Sequence, residues 1–483
     1  MTEPLTERSA TSLAAGIRSG ELRASDVVAA HIARLQALAP RINALVADRF
    51  DAARAEAAAA DARVQAFTAG ARAGRAGADE ALPPLLGVPF TVKESIALDG
   101  MSHSGGLVAR RDVRAEQTAP PTARLIAAGA IPLGVTNTSE LTLWIESVNR
   151  AHGRTRNPYD PRRAAGGSSG GEGAAVGSGG SPFGIGSDIG GSIRIPSLFC
   201  GVFGHKPSAG LVPTSGNYPP SAEGNSPLLG IGPIARRAED LIAVLRIIAG
   251  PDAGDPTARE MAIGDPAAVS FDGLRVVIAE GTSWRPLHPD LLAARERAAG
   301  ALAAAGARIE RVRLRSWRGA LLPFLTRLQA GSDATTAEMI TQAAGAPTSL
   351  RRLLLPGGPH TMAGRLTLLG ERLPASPQAP QLARAEAIAS ELRETMGDGL
   401  LLHPAFRRPA PRNGTTVGRP WLLTPSGVFN LAGVPVTEVP IGATAAGLPL
   451  GVQVAGGHGR DHVTIAAALW LERVFGGWSP PAG

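Results

Sequence analysis

Gly166-Gly167-Ser168-Ser169-Gly170-Gly171-Glu172-Gly173-Ala174-Ala175-Val176 opens a glycine- and serine-rich run that reaches Asp188-Ile189-Gly190-Gly191-Ser192-Ile193-Arg194-Ile195-Pro196. The reading of this run decides the architecture. Glycine and serine alone make a flexible linker, which would divide the chain into two bodies. Here apolar residues interrupt the run, at Ala174-Ala175-Val176, at Phe183-Gly184-Ile185 and at Ile193-Arg194-Ile195-Pro196. A solvated linker has no use for them. The glycines instead mark places where backbone comes close to backbone or to a ligand. No composition break splits the 483 residues elsewhere, so one large domain with appendages is expected.

Upstream, Leu85-Leu86-Gly87-Val88-Pro89-Phe90-Thr91-Val92 reads as a buried strand with Lys93 at its end. Thr122 to Ala130 reads as a helix, and Ile131-Pro132-Leu133-Gly134-Val135 as a second buried strand. Nearer the start, Ser25 has the form of an N-cap before Val27, Val28, Ile32, Leu35 and Leu38, with Pro40 ending the helix. An alanine-rich helix follows from Asp51 to Gln65, then a Gly/Ala loop between Ala69 and Ala81. Gly204-His205-Lys206-Pro207 reads as a loop. Downstream come a helix over 240–248, a strand over 274–279 and an amphipathic helix over 289–305. Two strands, 435–439 and 451–454, and a closing helix over 462–474 complete the pattern. Such alternation predicts an α/β fold with helices covering a buried sheet. Residues 1–80 are expected as a helical region packing on a main domain of 81–483. A mostly helical stretch at about 317–395 would form a cap over a pocket.

Composition excludes several classes. The formal charge is +7, yet the arginines are scattered among Asp and Glu and aromatics are only 4%. A nucleic-acid groove needs a basic stripe with stacking rings, so no nucleic-acid partner is expected. No run of about 18 apolar residues occurs, so no membrane span is expected. The first residues lack a secretory signal, and one cysteine, Cys200, allows no internal disulfide. A soluble cytoplasmic protein follows from these points. Monomer and homodimer both stay open.

Two of the 48 basic residues are lysines, Lys93 and Lys206. Arginine serves wherever permanent charge is enough. It cannot act where a neutral amine must accept a proton. Lys93, at a strand end, is therefore a candidate base, while Lys206 is read as a packing residue. A serine hydroxyl is a poor nucleophile without a base, and acyl transfer also needs donors for an oxyanion. Lys93, Gly166-Gly167-Ser168-Ser169-Gly170-Gly171 and Asp188-Ile189-Gly190-Gly191-Ser192-Ile193-Arg194 hold those parts.

These motifs resemble the amidase signature family, and Gly166 to Pro207 is particularly similar to its fatty-acid-amide-hydrolase branch. The resemblance includes Thr136-Asn137-Thr138-Ser139-Glu140, Asn157-Pro158, Phe429-Asn430-Leu431-Ala432-Gly433 and Gly447-Leu448-Pro449-Leu450-Gly451. It runs from about Leu13 to Phe475 and is weak between about 255 and 400. It implies a large mixed central sheet with helices on both faces. It implies an acyl-serine amidase without metal or other cofactor. Ser192 would be the nucleophile, Ser168 the bridging serine after a cis peptide, and Lys93 the base. The amides of Ile189, Gly190, Gly191 and Ser192 would form the oxyanion hole. Ser169, Ser187, Asp188 and Arg194 would surround them, with Arg194 paired to a carboxylate. Trp144 and Leu141 would lie by the substrate pocket. With Leu321-Leu322-Pro323-Phe324-Leu325 and Leu353-Leu354-Leu355 they point to an apolar acyl or aryl amide. Esters and carbamates (urethanes) share the oxyanion geometry and are further expected substrates.

Two competing readings exist. Gly167-Ser168-Ser169-Gly170-Gly171 satisfies G-x-S-x-G, which would make Ser169 an elbow nucleophile with His403 or His458 as base. No apolar strand precedes it. The family also includes the amidase component of tRNA-dependent amidotransferases, which works only inside a complex. Gly171-Glu172-Gly173-Ala174 and Asp188-Ile189 lean towards the stand-alone enzymes.

Overall fold

The computed structural model describes residues 3–72, 81–220, 227–354, 357–372 and 377–481. Its strands are β1 (Leu45–Asp48), β2 (Pro89–Lys93), β3 (Ile131–Thr136), β4 (Val148–Asn149), β5 (Gly153–Arg154), β6 (Phe183–Asp188) and β7 (Phe203–Lys206). They continue as β8 (Gly230–Ala235), β9 (Arg275–Glu280), β10 (Arg308–Arg313), β11 (Leu400–His403), β12 (Val436–Ala443) and β13 (Pro449–Gly456). Apart from the β4–β5 hairpin, they form one 11-stranded sheet, ordered β1-β3-β2-β6-β8-β7-β12-β13-β11-β9-β10. The sheet is mixed. β2 runs parallel to β3 and β6, while β6, β8, β7, β12 and β13 alternate antiparallel.

The central strands β2, β3, β6 and β8 are buried at every residue. That explains their continuous apolar or glycine-rich sequences, since both faces meet helices. The glycine run is part of this core. It forms a helix over Gly170–Gly177 and then β6, all buried. The N-terminal region packs into the same core through Leu13, Ile17, Val28 and Ile32. It also supplies β1 at the sheet edge, antiparallel to β3, so it is more than a helical appendage. The 317–395 stretch forms helices over Leu321–Ala330, Thr336–Ala344, Leu350–Leu354, Met362–Gly370 and Gln378–Met396.

Four local expectations need correction. Ser25 is not the N-cap: the helix starts at Ala24 and its Arg23 cap makes no side-chain bond. Asp61, on the neighbouring helix Phe50–Arg72, accepts the Ala24 N–H at 2.6 Å and the Ser25 hydroxyl instead. Pro40 lies inside the last turn, which ends at Ile42. Gly204-His205-Lys206 is strand β7 rather than loop, held between β8 and β12. The alanine-rich helix also outruns Gln65 to Arg72. The expected Gly/Ala loop falls largely at 73–80, outside the described residues.

Candidate active site

β2 delivers Lys93 to the buried end of the sheet. Its Nζ is 2.7 Å from Ser168 Oγ and 2.9 Å from Ser187 Oγ. Ser187 lies on β6, the parallel neighbour of β2, so adjacent strands bring these groups together. Burial pushes the Lys93 amine down to about 7, against the raising effects of Asp188, Glu172 and Glu94.

Ser168 sits where the glycines allow close approach. The Gly167–Ser168 peptide is cis. A Cβ at Gly167 would lie 2.6 Å from the Trp144 carbonyl oxygen, and one at Gly171 would run into the Asn137 backbone. The Ser168 carbonyl accepts from Ser147 Oγ at 2.7 Å and Thr138 Oγ1 at 3.0 Å. Ser169 donates its hydroxyl to the Ser187 carbonyl at 3.2 Å, and its N–H to the Ser192 carbonyl at 3.2 Å. Neither His403 nor His458 serves Ser169. His403 is bonded to Thr282 and Pro404, and His458 to the Ala209 carbonyl. The elbow reading therefore has no base.

Ser192 is 8% exposed, against 1% for Ser168 and 0% for Lys93. Of the three, it is the least buried residue. Behind it, Asp188 and Arg194 form a fully buried bidentate pair at 3.0 and 2.9 Å. Burial would raise the Asp188 carboxyl. Arg194 and the hydrogen bonds of Arg194, Asn430 and the Ile193 N–H outweigh that and hold it well below the usual carboxylate range. Arg194 also donates to the Ser426 carbonyl, Gln453 Oε1 and Asn430 Oδ1 at 3.1, 2.9 and 2.6 Å. Asp188 fixes the Ser192 loop by accepting the N–H groups of Gly191 at 2.8 Å and Ile193 at 3.0 Å. The Gly191 amide, expected to face an oxyanion, is thus already donating inward.

Leu141 and Trp144 border a cavity of about 20 Å³ with Ile340 and Thr361, room for a single water. Leu141 is buried in left-handed backbone, φ 51°, and Trp144 Nε1 donates to Thr416 Oγ1 at 2.9 Å. Of the other apolar stretches, Phe324 is the residue at the loop. Its ring lies 3.1 Å from where a Gly190 Cβ would stand, with Leu423 at 4.0 Å. Leu322 and Leu325 are exposed, and Leu353 packs with Leu141. The side chains of Leu354 and Leu355 lie outside the described residues.

Sequence reasoning missed Glu172. It is fully buried, accepts from Thr91 Oγ1 at 2.7 Å and Thr136 Oγ1 at 2.8 Å, and burial pushes its carboxyl up to about 8. An acidic residue amid Gly171, Gly173 and Ala174 was the available signal. Asn430 and Gln453 were likewise missed. The Phe429-Asn430-Leu431 motif flagged the first, whereas nothing local marks the second.

Residues 26–465 match the family model described as Amidase. The chain belongs to that family, a family of hydrolases acting on amide bonds. Among its relatives, Fatty-acid amide hydrolase 2-A of Danio rerio is 40% identical, across the whole chain and 91% of the relative. Acylamidase of Rhodococcus erythropolis is 32% identical over 96% of this chain and 95% of the relative. Among solved structures, 6-aminohexanoate cyclic dimer hydrolase complexed with substrate superposes with a TM-score of 0.83. It covers 99% of both chains at 26% identity. Among the described residues no helix is long and apolar enough to cross a membrane.

Proposed function

We propose that this amidase cleaves amides through an acyl-serine formed on Ser192. Ser192 Oγ attacks the carbonyl carbon and its proton passes to Ser168 Oγ. The Ser168 proton passes to Lys93 Nζ, and the relay reverses to protonate the leaving amine. Water then repeats the sequence and releases the acid. The Lys93–Ser168 contact at 2.7 Å carries this reading. An amine near neutrality is a suitable base at working pH, whereas a guanidinium is not. For the oxyanion, the amides of Ile189, Gly190 and Ser192 are the free donors, because Gly191 is held by Asp188. Ser169, Ser187, Asp188 and Arg194 position the reacting groups.

The acyl side is apolar in this proposal. Phe324, Leu423 and Ile189 stand at the reactive loop in support. The helices of 317–395 act as its cap. Glu140 fastens them by accepting the Thr361 N–H at 2.7 Å and by pairing with His360 at 2.6 Å. Esters and carbamates share the tetrahedral oxyanion and are expected to turn over too. The enzyme acts in the cytoplasm, as a monomer or a homodimer, in keeping with a free, buried Cys200.

The test uses the purified chain with anilide, ester and carbamate chromogens, and a fluorophosphonate label. Ser192 should carry the label, and Ser192→Ala should lose both labelling and turnover. Labelling at another residue sinks the mechanism. Turnover of small primary amides alone sinks the apolar acyl site. Activity that emerges only with added partner proteins would favour a role inside an amidotransferase complex.

A further inference from the structure

A cleft of about 180 Å³ opens beside the segment leading to Ser426, with Thr424 and Pro425 in one wall. Ser426 itself packs against Gly191 of the reactive loop. Lys93, Ser168 and Ser192 are not among the residues lining it. Its walls carry three of the chain's six tryptophans, Trp284, Trp317 and Trp421, and three arginines, Arg285, Arg318 and Arg407.

The charges in this cleft are unbalanced. No Asp or Glu lines it. Among the described residues no carboxylate lies within ion-pair distance of the three arginines. Arg318 donates to the Gly281 carbonyl at 2.7 Å and Arg407 to the Pro286 carbonyl at 3.0 Å, both neutral acceptors. His403 supplies no counter-charge. Its Nδ1–H has only the Pro404 carbonyl to meet, at 2.8 Å, so Nε2 accepts from Thr282 Oγ1 at 3.0 Å.

The cleft also has unused capacity for a ring and for an acceptor. Arg318 lies over Trp284 at 4.7 Å and Arg285 over Trp421 at 5.5 Å. Trp284 is 76% exposed, a large apolar face left to solvent.

We propose that this cleft binds a planar aromatic carboxylate. Its ring lies against the exposed Trp284, and its carboxylate faces the three guanidiniums. Arginine forks match carboxylate geometry, and flat rings bury well on indole. An enclosed volume of ~150 Å³ already admits benzene, so the space suits a single ring.

Titrating the full chain with benzoate under tryptophan fluorescence reads the site directly, because half of the chain's tryptophans line it. The titration is run before and after methanesulfonyl fluoride treatment, which occupies a reactive serine with a small group. A saturable change is expected in both states. It should weaken about tenfold or more in Arg285→Glu, weaken with added salt, and be absent with benzyl alcohol. Arg285 is exposed and lies over the Trp421 ring at 5.5 Å, so the replacement probes the ligand site and not the fold. No saturable signal, an equal signal with benzyl alcohol, or a signal unchanged in Arg285→Glu overturns the proposal. So does loss of the signal on sulfonylation, since the carboxylate would then sit at Ser192. Failure of the serine to react bears on the acyl-serine chemistry alone, and the untreated titration still decides the cleft.

Discussion

Lys93 and Glu172 occupy the same buried neighbourhood and bend the pH dependence in opposite directions. The Lys93 amine falls from about 10.5 unfolded to about 7 folded. Between those values the unfolded chain holds one more proton, so stability rises with pH by about 1.4 kcal/mol per unit. Glu172 rises from about 4.5 to about 8. Between those values the folded chain holds the extra proton, so stability falls with pH at the same slope. The slopes cancel between about 7 and 8, and above 8 only the lysine slope remains. Lys93→Met should remove that alkaline rise in urea titrations, fold at least as stably at pH 8, and lose 10²-fold or more in turnover. Parental turnover in that variant would refute the relay. Wild-type kcat/KM should rise with pH through about 7, as the amine becomes neutral. Glu172→Gln keeps a neutral group between Thr91 and Thr136. The native carboxyl is itself largely protonated at pH 7, because burial has pushed it up to about 8, so the pH–rate midpoint should move little. A midpoint displaced well to lower pH would show that Glu172 is charged beside the lysine.

At the scale of elements, the glycine-rich helix and strand owe their packing to missing side chains. Gly171 lies where a Cβ would meet the Asn137 backbone N and O, and backbone cannot swing aside as a flexible side chain can. Gly171→Ala should cost about 1–3 kcal/mol, read as a lower urea midpoint with unchanged slope. It should also lower kcat, because the same turn carries Ser168. The apolar interruptions make this segment legible as core, and the proposed triad is legible because each member sits in its own short motif. Other features are invisible for a physical reason. The cap of the Ala24 helix is Asp61, a residue from another helix. β7 reads locally as loop because Pro207 follows it, although its partners β8 and β12 come from distant sequence. Phe324 reaches the loop from far along the chain, in a region where the resemblance fades.

Across the whole molecule, Arg194 joins parts that no local pattern connects. One guanidinium binds Asp188 at the end of β6, Ser426 and Asn430 on the helix Thr424–Leu431, and Gln453 on β13. Those segments span both halves of the sheet, and their common acceptor geometry requires a planar fork with five donors. Lysine has the charge but three donors on a single nitrogen. Arg194→Lys should therefore fail as a conservative change. Removing one partner of a buried pair costs about 3–5 kcal/mol. The lysine variant should lose part of that and Arg194→Met most of it, as seen by denaturant melts at pH 7. The Asp188 carboxyl is held low in the folded state, so its stabilisation is present above about 4 and is lost as pH falls below that. The deficit of Arg194→Met relative to the parent should then shrink in acid. Asp188 also grips the Gly191 and Ile193 amides, so kcat should fall in the lysine variant even where the protein remains folded. If Arg194→Lys kept both its melting midpoint and its kcat, the fork would be dispensable, and the loop carrying Ser192 would have to be held by the backbone alone.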